Sequence, residues 1–108
     1  MTSKIDRRSR SRVAASVPVQ VRSVRGTAEL NAQTRDVSTN GVFLYTESRM
    51  VVGSNVELVF ILPPELTSGE KSWVCCHARI LRVEPGPGKN FGVAAEIRRM
   101  DILPELPL

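Results

Sequence analysis

Four arginines crowd the start of the chain: Arg7, Arg8, Arg10 and Arg12. A guanidinium is planar, permanently charged and carries a rigid fork of N–H donors. It can grip phosphate bidentately, pair with the O6 and N7 edge of guanine and stack on flat π-systems. Such a cluster suits an anionic ligand with purine faces, and equally a solubilising basic tail. A second group begins at Asp36, in the run Asp36-Val37-Ser38-Thr39-Asn40-Gly41. Its short polar side chains, with a glycine free to take positive φ, are turn chemistry. A tight turn of this kind exposes backbone N–H groups and a carboxylate on one rim. That carboxylate can accept two hydrogen bonds from the N1–H and N2–H₂ edge of a guanine. The plainer alternative is an Asx-type turn joining two strands, with Asp36 capping its own backbone.

Other candidate chemistry is thin. Cys75 and Cys76 are adjacent, and neighbours in an extended strand point to opposite faces, so no disulfide is expected. One of them should face the core and the other outward, as suits a reducing compartment. With the single histidine, His77, they lack the four-ligand spacing of a zinc site, so no metal is expected. His77 itself reads as a strand residue with no partner placed by the sequence, and Trp73 as a packing anchor. There is no nucleophile elbow, phosphate-cradling glycine loop or pair of carboxylates, so no enzyme is expected.

These groups must be positioned by strands. Val17, Val19 and Val21 alternate with Pro18, Gln20 and Arg22, a period of two. Thr27–Asp36 is a weaker strand with Ala28, Leu30 and Ala32 on one face. Val42–Thr46 and Val56–Leu62 are β-rich, the latter ended by Pro63-Pro64. Ser72–Val83 is the longest candidate and closes at Pro85-Gly86-Pro87-Gly88. Phe91–Ile97 is the last. A terminal helix from Arg98 onward is limited by Pro104 and Pro107 to about a turn or two. Six short strands with Gly/Pro turns indicate an all-β fold, a small six-stranded antiparallel barrel, because closure removes exposed edges in so short a chain. Residues 1–15 form a basic, flexible arm and residues 16–108 the barrel.

Length and charge agree with this division. The 108 residues suffice for one core, and 42% hydrophobic with 24% charged residues is ordinary for a soluble globular domain. Residues 1–35 hold eight basic and two acidic residues, a net +6; the remainder hold seven and nine, a net −2. No apolar run approaches the ~18 residues of a membrane span, and no apolar segment follows the N-terminal charges as in a secretory signal. A cytoplasmic protein without membrane insertion is expected. Nucleic acid is a weaker partner for the basic arm: Phe43, Tyr45, Phe60, Trp73 and Phe91 are spread along the chain rather than grouped as a stacking platform.

In combination the motifs say more than either alone. R-x-x-x-R at Arg8 and Arg12, followed by D-x-S-x-x-G at Asp36, Ser38 and Gly41, resembles the PilZ domain family, bacterial receptors for cyclic di-GMP. Val42-Phe43-Leu44 and Asn90-Phe91-Gly92-Val93 also look like strands of that family, so the resemblance covers nearly the whole chain. It implies a ligand, cyclic di-GMP, and no cofactor. It assigns Arg8 and Arg12 to guanine edges and phosphates, and Asp36, Ser38 and Gly41 to the other side of the ligand on the barrel surface. Arg7, just ahead of the motif, implies an intercalated ligand dimer rather than a monomer. The two prolines after Met100 depart from the longer helix many members carry. The expected mechanism is an order–disorder switch in which the ligand's phosphates draw the arginine arm onto the barrel. The output would pass to a downstream effector protein or through homo-oligomerisation. The rival readings are a ligand-independent adaptor of the same fold and a non-specific nucleic-acid binder.

Overall fold

The computed structural model describes residues 13–23, 29–67 and 71–103. Seven strands follow in order: β1 (Val13–Ala14), β2 (Pro18–Ser23), β3 (Glu29–Val37), β4 (Gly41–Thr46), β5 (Asn55–Ile61), β6 (Trp73–Pro85) and β7 (Phe91–Ile102). Every pairing is antiparallel. Six strands run β3-β2-β5-β6-β7-β4, and β4 pairs back onto β3, so the sheet closes into the expected barrel. The two-residue β1 adds to the end of β3.

The interior follows the period-two pattern. Val19 and Val21, Val42 and Leu44, Val56, Leu58 and Phe60, and Val74, Cys76, Ala78 and Ile80 all point into one apolar cluster, completed from β7 by Val93 and Ala95. Cys76 is fully buried and Cys75 only half-buried, the inward–outward split expected of neighbours in a strand. Burial pushes the Cys76 thiol up to about 12, since an apolar interior disfavours the thiolate.

Alternation is reset at three places, each by one extra residue. Arg35 is unpaired between Thr34↔Leu44 and Asp36↔Phe43. Leu81 is unpaired between Ile80↔Ala95 and Arg82↔Ala94, and Arg98 between Ala78↔Ile97 and His77↔Arg99. These are β-bulges, which switch the face presented by the residues beyond them. The last of them corrects a sequence expectation. Arg98 does not begin a helix; β7 continues through it to Ile102, with Asp101 opposite Cys75 and Ile102 opposite Val74. The long β6 supplies the ladder that this segment completes. Among the described residues the only helical element is a single 3₁₀ turn at Pro64–Leu66.

β1 and β2 lie along the same side of β3, interrupted at Ala15–Val17. The interruption is stitched by Thr34. Its backbone N–H donates to Val17 O (2.9 Å), its hydroxyl accepts from Val17 N–H (2.8 Å) and donates to Ala15 O, and Ala15 N–H reaches Arg35 O (3.2 Å). Thr34 is 2% exposed, so its hydroxyl has no water to replace a lost partner. The substitution Thr34→Val is expected to destabilise the fold by about 1–3 kcal/mol through the unpaired Val17 N–H and Ala15 O. Denaturant unfolding checks this, and hydrogen exchange should locate the loss at residues 13–17. A stability within error of the wild type would show that the stitch contributes nothing.

Candidate functional site

The bulge at Arg35 creates the site. Ala32 and Thr34 are buried along β3, and unbroken alternation would carry Asp36 into the barrel. The extra residue instead puts Val37 on the core line, fully buried in the apolar cluster. Asp36 is left paired with Phe43 of β4 and Ala14 of β1, outside that cluster. An ionised carboxylate inside such a core would cost several kcal/mol, so the bulge is what lets this segment be both strand and site.

The carboxylate is not bare. Arg35 Nε donates to Asp36 Oδ2 at 2.6 Å, and the Arg35 guanidinium lies over the Phe43 ring, 3.9 Å from its centroid. The hydrogen bond to Asp36 pushes the Arg35 pKa up further, so this cation is permanent. Phe43 meets Tyr45 edge-on at 5.8 Å. Arg35 is about half exposed and the Asp36 side chain only 12% exposed, so water reaches the ion pair from the arginine side. Asp36 (8% exposed) and Phe43 thus lie beneath the half-exposed Arg35 on the outward face of β3 and β4, with Tyr45 beside Phe43.

Phe43 is 4% exposed although it faces away from the core. Gly92 makes this possible. A Cβ there would lie 2.7 Å from Phe43 Cζ and 3.0 Å from Cε1. The ring therefore rests on bare β7 backbone, under the Arg35 guanidinium. This is a physical reason for glycine in Asn90-Phe91-Gly92-Val93.

The turn that follows Asp36 is closed by Ser38. Its backbone N–H donates to Gly41 O at 2.8 Å. Its Oγ accepts from the N–H groups of Gly41 (3.1 Å) and Asn40 (3.3 Å) and lies 3.2 Å from Gly41 O as donor. Asn40 O in turn accepts from Ile97 N–H at 2.9 Å. Ser38 thus holds the turn shut. Gly41 is buried and begins β4; its backbone is not left-handed, since among the described glycines positive φ occurs only at Gly53 and Gly88. The conformational freedom expected of Gly41 is not what the turn uses.

Of the sequence-predicted site residues, Asp36, Ser38 and Gly41 come together in this turn at the β3–β4 junction. Arg7, Arg8 and Arg12 lie outside the described residues. The chain immediately after Arg12 does not: Val13 pairs with Val37 and Ala14 with Asp36. Sequence reasoning missed Arg35 and Phe43. The aromatic followed by its glycine partner on another strand was a signal only once β4 and β7 were known to pair.

Residues 6–104 match the family model of the PilZ domain. Among solved structures, the inhibitor of motility MotI (DgrA) of Bacillus subtilis superposes with a TM-score of 0.70 at 19% identity, covering 90% of this chain and 45% of that one. The PilZ domain of CeSA from a cellulose-synthesizing bacterium gives 0.52 at 23% identity, covering 80% and 79%. This chain therefore spans less than half the length of the MotI chain. Comparison with curated proteins returns no match.

The packing of Phe43 on Gly92 can be tested directly. Gly92→Ala is expected to tilt the ring, separate it from Arg35 and cost about 1–3 kcal/mol of stability, as overpacking does. Denaturant unfolding and the ring-current shift of the Arg35 side chain report both effects. Combining it with Phe43→Leu should recover part of the loss. Unchanged stability in Gly92→Ala would refute the contact.

Proposed function

The chain belongs to the PilZ domain family, and on that premise we propose that it is a cytoplasmic receptor for cyclic di-GMP. In this reading it is a binding module rather than an enzyme. The observation that carries the reading is the strapping of β1. The residue after Arg12 is paired beside the strand that carries Asp36, with Ala14 directly opposite Asp36 itself. A fully extended chain spans at most about 3.3–3.6 Å per residue, so Arg12 is tied within a few ångströms of β1, and Arg8 within about 20 Å. In this reading the two motifs, far apart in sequence, meet the ligand at one rim.

Each part then has a role. The Asp36 carboxylate accepts from the N1–H and N2–H₂ edge of a guanine, with Ser38 and Gly41 fixing the turn beneath it. Arg35 releases Asp36 and stacks on the base. Arg8 and Arg12 reach guanine edges and phosphates from the other side; good bidentate guanine contacts are worth about 1–3 kcal/mol each. Arg7 favours a stacked pair of ligands, whose four phosphate charges offset the repulsion among the arginines. Docking of residues 1–12 over the ligand changes the exposed surface, and a downstream protein or a second copy of the chain reads the change.

Calorimetry tests the assignment. Asp36→Ala and Arg12→Ala are each expected to weaken cyclic di-GMP binding by at least about tenfold, the loss of charge-assisted hydrogen bonds. Arg7→Ala should lower the stoichiometry from two ligands per chain towards one. Wild-type affinity in either of the first two variants would sink the site. No binding of cyclic di-GMP by the wild type would leave the ligand-independent adaptor as the better reading.

A further inference from the structure

Away from the β3–β4 rim, the outer wall formed by β2, β5, β6 and β7 gathers a second group. Cys75 and His77 are two apart on β6 and so share a face. The register places Glu57 of β5 opposite His77, Asp101 of β7 opposite Cys75, and Arg22 of β2 opposite Glu57. A carboxylate oxygen of Glu57, the Cys75 Sγ and a ring nitrogen of His77 all lie within 4.8 Å of one another, and all three residues are half-buried. Glu57 divides its oxygens: Oε1 is 3.1 Å from Arg22 and Oε2 is 3.9 Å from His77 Nδ1. On the far side of the imidazole, Asp101 Oδ2 is 3.7 Å from His77 Nε2.

We propose that Glu57, Cys75 and His77 form a binding site for a zinc-class divalent cation. The donor set of one thiolate, one imidazole and one carboxylate is that of borderline metals such as Zn²⁺ and Co²⁺, and unlike the all-oxygen cages of Ca²⁺ and Mg²⁺. Donors around a tetrahedral zinc, bound at roughly 2.0–2.3 Å, stand about 3.5 Å apart. Modest side-chain movements close the present spacing to that value. A metal on the Glu57 side takes His77 Nδ1 and leaves Nε2–H facing Asp101, the carboxylate–histidine–metal arrangement that orients an imidazole ligand. Arg22 holds Glu57, and Arg99 holds Asp101 at 3.2 Å, so both carboxylates are already positioned. Binding replaces the Cys75 S–H bond by a metal–sulfur bond and gives the proton to solvent. Three protein donors leave the fourth position to water or an outside ligand. No linear motif announces the site, because its donors come from two strands; the closed barrel alone brings them into reach. It shares no residue with the proposed nucleotide rim, so the two proposals stand or fall separately.

The test is titration of tag-free, reduced protein with Co²⁺, followed by Zn²⁺. One Co²⁺ per chain is expected, with thiolate-to-cobalt charge-transfer absorption that Zn²⁺ abolishes by displacement. Cys75→Ser should eliminate that absorption, and His77→Ala and Glu57→Gln should each weaken binding at least about tenfold. Cys76→Ala serves as control: Cys76 faces the core and stays a thiol, so the absorption should persist. Circular dichroism shows which variants remain folded, and three ligand variants make the result independent of any one of them. Absence of charge transfer at one equivalent of Co²⁺, or its survival in Cys75→Ser, would overturn the proposal.

Discussion

The extra residue in β3 at Arg35 governs how this protein can carry a functional carboxylate in a barrel strand. The interior of a six-stranded barrel is apolar and close-packed, and it has no place for the charge on Asp36. Without the bulge, alternation would point Asp36 inward and Val37 outward, a double error. With it, Val37 is sealed in the core and Asp36 lies beside Phe43 on the outside. The same step makes Arg35 available to hold Asp36 and to cover the Phe43 ring. Core packing and site geometry are therefore set by one backbone irregularity.

Closure of the barrel supplies what the bulge cannot. β4 is held between β3 and β7, so an aromatic on its outer face needs a floor, and bare backbone at Gly92 provides one. Thr34 performs the complementary task on the other side of β3. Its hydroxyl carries the sheet across the break between β1 and β2, which fixes the chain just beyond Arg12 against the motif strand. Both are small residues whose value lies in where the neighbouring strand runs.

The bulges at Leu81 and Arg98 have a different consequence. They allow β6 and β7 to pair over nearly their whole length despite breaks in the apolar pattern. That pairing brings Asp101 beside His77, on a wall made by strands other than β3 and β4. The chain thereby gathers two separate groups of polar side chains on its outer surface, one from β3 and β4 and one from β2, β5, β6 and β7.

Much of this was legible in the residues. Alternating valines marked the strands, Gly/Pro runs marked the turns, and six such strands in a short chain required closure. Arg8, Arg12, Asp36, Ser38 and Gly41 pointed to the PilZ family by their types and spacing alone. The sequence also placed one cysteine inward and one outward by parity alone. Three things needed the tertiary structure. The extension of β7 was hidden because Arg98-Arg99 break the alternation, and only pairing with β6 shows Arg98 to be a bulge. The roles of Arg35 and Gly92 depend on Phe43, which lies on another strand from either. The neighbours of His77 depend on register across β5, β6 and β7. Local pattern determines which residues are strand and which face they take; which residues meet across strands is set by register, and register is fixed only when the whole barrel closes around its core.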